Sequence, residues 1–120
     1  MKIAYIAHPI GGNVKLNLLR IRRIVRLINL EEPETVPFAP YYADLVSLDD
    51  SDPAERARGI KNDVALFKKY FIDEVRLYGD RISNGMDDEI RLAISIGITV
   101  VPMTDETKAD FSKYWPEMVK

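Results

Sequence analysis

The sequence predicts an α/β protein: a small, doubly wound, mainly parallel sheet of four to five strands flanked by helices. Short apolar runs with β-branched and aromatic residues alternate with longer segments of helical period. Capping residues, prolines and glycines fall at the boundaries between them. Strands that alternate with helices run parallel and are joined by right-handed crossovers.

The first strand is Ile3 to Ala7, stopped by Pro9 and by Gly11-Gly12. A helix follows from Val14 to about Leu30 and ends before Pro33. Thr35 to Tyr41 reads as a second strand, and Pro37 and Pro40 place it at an edge or end it early. Asp52 is a good N-cap, Pro53 fits the first helical position, and Glu55 stands where a capping box wants its acid. That helix is expected to reach about Tyr70. Glu74 to Tyr78 is a third strand, ended by Gly79-Asp80. A helix then runs from Asn84 or Gly85 to about Ile96, with Gly97 as its C-terminal cap. Ile98 to Val101 is a fourth strand before Pro102, and Asp105 to about Tyr114 is a last helix. Residues 1–120 read as one domain of flavodoxin-like or Rossmann-like type, without repeat or linker. In such folds ligands sit outside the carboxyl ends of the strands. This places residues 8–12, Tyr41-Tyr42 and residues 79–85 on one rim.

Composition removes several function classes. With 120 residues, 47% hydrophobic and 30% charged, the chain can build one ordinary core. A net charge of -2 leaves no electrostatic footprint for duplex nucleic acid, so no nucleic-acid partner is expected. Cysteine is absent, which excludes disulfides and thiolate metal sites. His8 is the only histidine, so no multi-imidazole zinc site exists, and no G-x-S-x-G elbow accompanies it. No apolar run approaches a membrane span or a signal-peptide core, so a cytoplasmic protein without a membrane partner is expected. No cofactor and no metal is suggested.

Most acids have ordinary explanations. Asp49, Asp50 and Asp52 precede a helix, where solvation and capping suffice. Asp87 and Asp88 lie in the first turn of another, where negative charge suits the helix dipole. Glu89 differs. At about 100° per residue the apolar stripe of its helix is Met86, Ile90, Ala93, Ile94 and Gly97, and Glu89 borders it. A carboxylate held against apolar side chains is costly unless it has a partner or a task. Asp63 repeats the pattern beside Ile60, Val64, Phe67 and Phe71. Spacing alone admits two readings: edge acids paired with arginines such as Arg56 or Arg91, or two carboxylates converging on one pocket, as in glycosidic cleavage.

Two loops are able to hold an anion. His8-Pro9-Ile10-Gly11-Gly12-Asn13 joins strand to helix, and Gly11 would let a ligand approach the backbone. It is neither a Walker loop nor a dinucleotide fingerprint. Ser83, with the amides of Asn84, Gly85 and Met86, forms the second, and simple capping explains it equally well. His8 itself fits a ligand contact, a proton shuttle or a structural hydrogen bond. The first helix is apolar on two sides: Ile21, Val25 and Ile28 on one, and Leu16, Leu19, Leu27 and Leu30 on another, among Arg20, Arg23 and Arg26. A second apolar side favours a homodimer or higher homo-oligomer.

The run Tyr78-Gly79-Asp80-Arg81-Ile82-Ser83-Asn84-Gly85-Met86-Asp87-Asp88-Glu89-Ile90, followed by Ala93 and Gly97-Ile98-Thr99-Val100, resembles the signature of the nucleoside 2-deoxyribosyltransferase superfamily. The opening Ile3-Ala4-Tyr5-Ile6-Ala7-His8-Pro9-Ile10 and the helical Ile60-Lys61-Asn62-Asp63 are similar to its other motifs. The likeness is closest to small bacterial and phage members and covers residue 2 to about 101. It implies Glu89 as nucleophile at the anomeric carbon, Asp63 beside the departing base, and Tyr5 orienting the glutamate. Ser83 and Gly85 resemble the deoxynucleoside 5′-monophosphate N-hydrolase branch, in which this turn holds the phosphate. Transferases carry an aspartate near the Ser83 position, which this chain lacks. The resemblance thus implies N-glycosidic cleavage of a nucleoside or its 5′-monophosphate. The alternatives are deoxyribosyl transfer between bases and a non-catalytic nucleotide-binding or sensing module.

Overall fold

The structure, a computed structural model, describes residues 1–118. Strands β1 (Lys2–Ala7), β2 (Thr35–Phe38), β3 (Glu74–Leu77) and β4 (Thr99–Pro102) form one parallel sheet in the order β2-β1-β3-β4. Pro37 of β2 sits at an edge, as expected for a residue that cannot donate to the ladder. Helices α1 (Val14–Glu31), α2 (Tyr41–Ser47), α3 (Pro53–Phe67), α4 (Asn84–Ser95) and α5 (Asp105–Tyr114) flank the sheet. No helix is long and apolar enough to cross a membrane among the described residues.

Local chemistry explains most boundaries. Asn13 caps α1 by accepting from the Leu16 amide, and Asp52 caps α3 by accepting from Ala54 and Glu55. Gly97 takes φ 80° just past α4, the left-handed conformation in which glycine is unstrained. Two boundaries differ from expectation. The second strand ends at Phe38, and α2 begins where Tyr41 was expected to continue it. Pro40 explains this: its φ of -64° starts a helix readily but cannot extend a ladder. The third helix stops at Phe67, and Tyr70, at φ 59°, turns the chain back toward β3.

Strand side chains alternate between the faces of the sheet. Tyr5, Ala7, Val75 and Leu77 form one core with Phe67 of α3, Met86, Ile90 and Ala93 of α4, and Phe111 of α5. Ala4 and Ile6 point the other way, where α1 buries Ile21 and Ile28. The second apolar side of α1 stays uncovered in the monomer, with Leu19 at 53% and Leu30 at 64% exposure.

The α1 face of β3 carries charge. Arg76 is buried there, its Nε donating to Glu74 at 2.6 Å and its two Nη atoms to Glu32 at 2.9 Å each. Lys2 adds a 2.8 Å ion pair to Glu74. The network fastens the end of α1 to a central strand. Removing one member leaves another charge in place without its partner. Arg76→Ala is expected to cost about 3 kcal/mol, read as a lower urea midpoint. A loss below about 1 kcal/mol, the range of exposed pairs, would mean that solvent satisfies Glu74.

Candidate active site

β1 and β3 are neighbours, yet the chain leaves β1 toward β2 and leaves β3 toward β4. Connections that diverge from adjacent parallel strands open a crevice at their carboxyl ends. Two loops border it, residues 8–13 and residues 78–83. Gly79 is required between them. Its φ is 93°, and a Cβ there would lie 2.6 Å from Pro9 Cδ and 3.5 Å from His8 Nε2. Side-chain bulk and backbone conformation both forbid another residue.

A cavity of about 700 Å³ extends from this crevice to the gap between α3 and α4. His8, Gly11, Ser83, Asn84, Gly85 and Met86 all line it. So do Asp63 and Glu89, which the spacing placed at the edges of two different helices. Arg91 pairs with Asp87 at 2.8 Å, so it is not the partner of either acid. Tyr5 lies under the floor, fully buried, and reaches up with its hydroxyl.

That hydroxyl lies 2.7 Å from Asp63 Oδ2 and also contacts Glu89 Oε2. A hydroxyl has one proton, so it can donate to only one carboxylate at a time. The other carboxyl must carry a proton of its own to complete the set. The electrostatics agree. Burial, then the charge of Asp63, pushes the Glu89 pKa well above the usual carboxylate range, against a hydrogen bond from Tyr5. Burial also raises Asp63, with Tyr5 and Glu89 opposing. Tyr5 is pushed far above 10.0, first by burial and then by the two acids, so it stays protonated. Glu89 retains some accessible surface because the cavity opens on it, although protein encloses its carboxyl elsewhere. The pair therefore holds a shared proton at pH values where ordinary carboxyls have lost theirs. Asp63 Oδ1 is buried and has no hydrogen-bond partner among the described residues, a further cost that a proton on this pair reduces.

Two groups were not singled out as site residues by spacing or resemblance. Tyr41 packs 5.8 Å from the Tyr5 ring and donates to the Ile6 carbonyl. Burial, then Glu89 and Asp63, pushes its pKa well above 10.0. With Leu45 and Leu48 it makes α2 a cavity wall. The i, i+4, i+7 spacing of Tyr41, Leu45 and Leu48 was the available signal for that helix. Ile60, expected in the core, is 56% exposed and faces the cavity mouth. His8 donates from Nδ1 to the Pro9 carbonyl at 2.7 Å, the structural bond expected as one of its readings. Ser83 caps α4, its Oγ accepting from the Met86 amide at 3.3 Å. No group of three or more His, Cys, Asp or Glu side chains is placed to hold a metal among the described residues.

Fold and site define a doubly wound α/β protein with a half-buried carboxyl pair at its switch-point cavity. Residues 2–103 match the family described as Domain of unknown function (DUF7768), and the chain belongs to that family. No curated protein gives a significant match.

An acid whose pKa is raised on folding binds a proton that the unfolded chain releases. Stability then falls as pH rises from the ordinary carboxylate range through the raised pKa. Glu89→Gln removes this penalty. Its melting temperature is expected to exceed that of the wild type at pH 8 and to converge with it near pH 4. The gap grows by up to about 1.4 kcal/mol per pH unit across the shift. A pH-independent difference would show that Glu89 is not held protonated.

Proposed function

We propose that the protein cleaves the N-glycosidic bond of a nucleoside or nucleoside 5′-monophosphate through a covalent glycosyl-glutamate. The observation that carries this reading is the Asp63–Tyr5–Glu89 cluster at the cavity floor. Both carboxyls contact one oxygen, so they stand close together at one point of the cavity, where one can attack the sugar and the other can protonate the leaving base. The resemblance to the nucleoside 2-deoxyribosyltransferase superfamily supports the same roles.

Protons and electrons balance on these three residues. Glu89 attacks as carboxylate, so its proton first passes to the Tyr5 hydroxyl as the hydroxyl's own proton passes to Asp63. A Glu89 oxygen bonds to the anomeric carbon as the carbon–nitrogen bond breaks. Its electron pair leaves with the base, which takes the proton from Asp63. Tyr5 donates to Glu89 and aligns it. Asp63, now a carboxylate, takes a proton from water as that water opens the glycosyl ester, and Glu89 is freed. A second base in place of water would give transfer instead of hydrolysis. Enclosure of the Glu89 carboxyl by protein keeps the nucleophile reactive, and the covalent intermediate splits one hard step into two.

The wild type is expected to release free base from some members of a panel of ribo- and deoxyribonucleosides and their 5′-monophosphates, followed by chromatography. Glu89→Ala should abolish release, and Asp63→Asn should slow it about 10²–10⁴-fold. Full activity in Glu89→Ala would sink the mechanism, and new nucleoside formed only with added base would make the enzyme a transferase. Binding without turnover would leave a sensing module.

The uncovered leucines of α1 support self-association as a homodimer or larger homo-oligomer. Light scattering should show an assembly that the double variant Leu27→Glu/Leu30→Glu reduces to monomer. A wild type that is monomeric at high micromolar concentration would remove this part of the proposal.

A further inference from the structure

The identity of the ligand's far end is written in His8. With Asp63 beside the leaving base, the sugar extends away from α3, toward the start of α4 and the switch-point loops. His8 lines the cavity there, 5% exposed, with Nε2 beside Gly79. Its Nδ1 lies 2.7 Å from the Pro9 oxygen. A carbonyl only accepts, so Nδ1 carries the ring proton. Burial lowers the His8 pKa below 6.5; Arg20 and Arg81 lower it too, against the Pro9 carbonyl and Asp80. The ring is then neutral near pH 7 and Nε2 is a bare acceptor. No described residue donates to it.

The rest of the cavity has the same preference. Beyond the carboxyl pair, Asp44, Asp50, Glu55 and Asp88 line it, against Arg56 and Arg81. Arg81 is already paired with Asp80 at 2.9 Å. A dianionic phosphate would enter a cavity in which carboxylates outnumber arginines, and would meet a lone pair where it needs a proton donor. A hydroxyl group satisfies both conditions, because it is uncharged and donates.

We propose that His8 Nε2 accepts a hydrogen bond from the 5′-hydroxyl of the sugar, so that the site takes free nucleosides in preference to their 5′-monophosphates. This rests on the glycosidic reading for the orientation of the sugar, and it reassigns the Ser83 turn from phosphate cradle to helix cap. The site selects by rejecting charge and by leaving one acceptor that only a donor can fill.

Calorimetric titration at pH 8 tests it, with Glu89→Gln as a non-cleaving receptor. The probes are the four common ribonucleosides and four deoxynucleosides, their 5′-monophosphates, and 5′-deoxynucleoside counterparts lacking the hydroxyl. The nucleosides that bind are expected to bind at least about tenfold tighter than their monophosphates. Loss of the 5′-hydroxyl should weaken them about tenfold, the value of one hydrogen bond. In a His8→Ala background that discrimination should vanish. In His8→Gln, whose amide oxygen also accepts, part of it should return. The 5′-deoxy probes test the contact on protein with His8 intact, so a poorly folded His8 variant does not remove the test. Tighter binding of monophosphates, discrimination that survives His8→Ala, or no binding by any nucleoside overturns the proposal. Base release by the wild type separates the two levels. Preferential release from monophosphates defeats this inference and leaves glycosidic cleavage standing. Hydroxyl-dependent nucleoside binding without any release does the reverse.

Discussion

A tyrosine hydroxyl set between two half-buried carboxyls, which hold one carboxyl proton between them, is the constraint on which the rest of this structure depends. Tyr5 sits on a central strand with no exposed surface, and its oxygen is the meeting point of Asp63 from α3 and Glu89 from α4. Three side chains from three elements are thus tied by chemistry that hydrophobic packing would not supply. Burying one unpaired carboxylate is costly, and burying two beside each other costs more. The cost is lowered by holding a proton within the cluster, while aromatics pack around the Tyr5 ring. Phe67 lies 4.7 Å away, Tyr41 5.8 Å and Phe38 6.3 Å, centroid to centroid. These rings fix the angle from which the hydroxyl meets the acids.

The sheet order turns that cluster into a site. Because β1 and β3 are adjacent and their connections diverge, the crevice opens next to the residue that holds the acids. α2 and α3 close one side, the start of α4 another, and the two switch-point loops the end. Gly79 lets those loops approach, since any side chain there would strike Pro9. The cavity is therefore graded. Its floor holds the two acids and their proton, and its far end has an imidazole whose Nδ1 is tied to the Pro9 carbonyl. The buried Arg76 network lies on the opposite face of the sheet, where it anchors α1 without adding positive charge to the cavity.

Much of the fold was legible before any coordinates. The caps at Asp52 and Gly97, the stop at Pro9 and the proline of the edge strand act through local sterics and hydrogen bonds, which nearest neighbours decide. Glu89 was legible as an acid bordering a buried stripe. Asp63 was legible for a weaker reason than expected: Phe67 is buried, but Ile60 faces the cavity and not the core. The α2 helix was not legible: the strand reading took in only its first residue, Tyr41, and residues 42–47 carried no element, because a seven-residue helix has little periodicity to display. Tyr5 looked like any residue of a buried strand, and only the family resemblance marked it.

The sequence by itself determined where the chain turns, which faces are apolar, and that two acids stand on the margins of two helices. Those properties depend on residues a few positions apart, and periodicity reports them. The tertiary structure decided that the two acids meet on a single hydroxyl, 58 and 84 residues from it along the chain. It also decided which nitrogen of His8 is free. Both outcomes are set by strand order and by the dielectric of an enclosed cavity, which belong to the packed chain as a whole and have no counterpart in any short stretch of it.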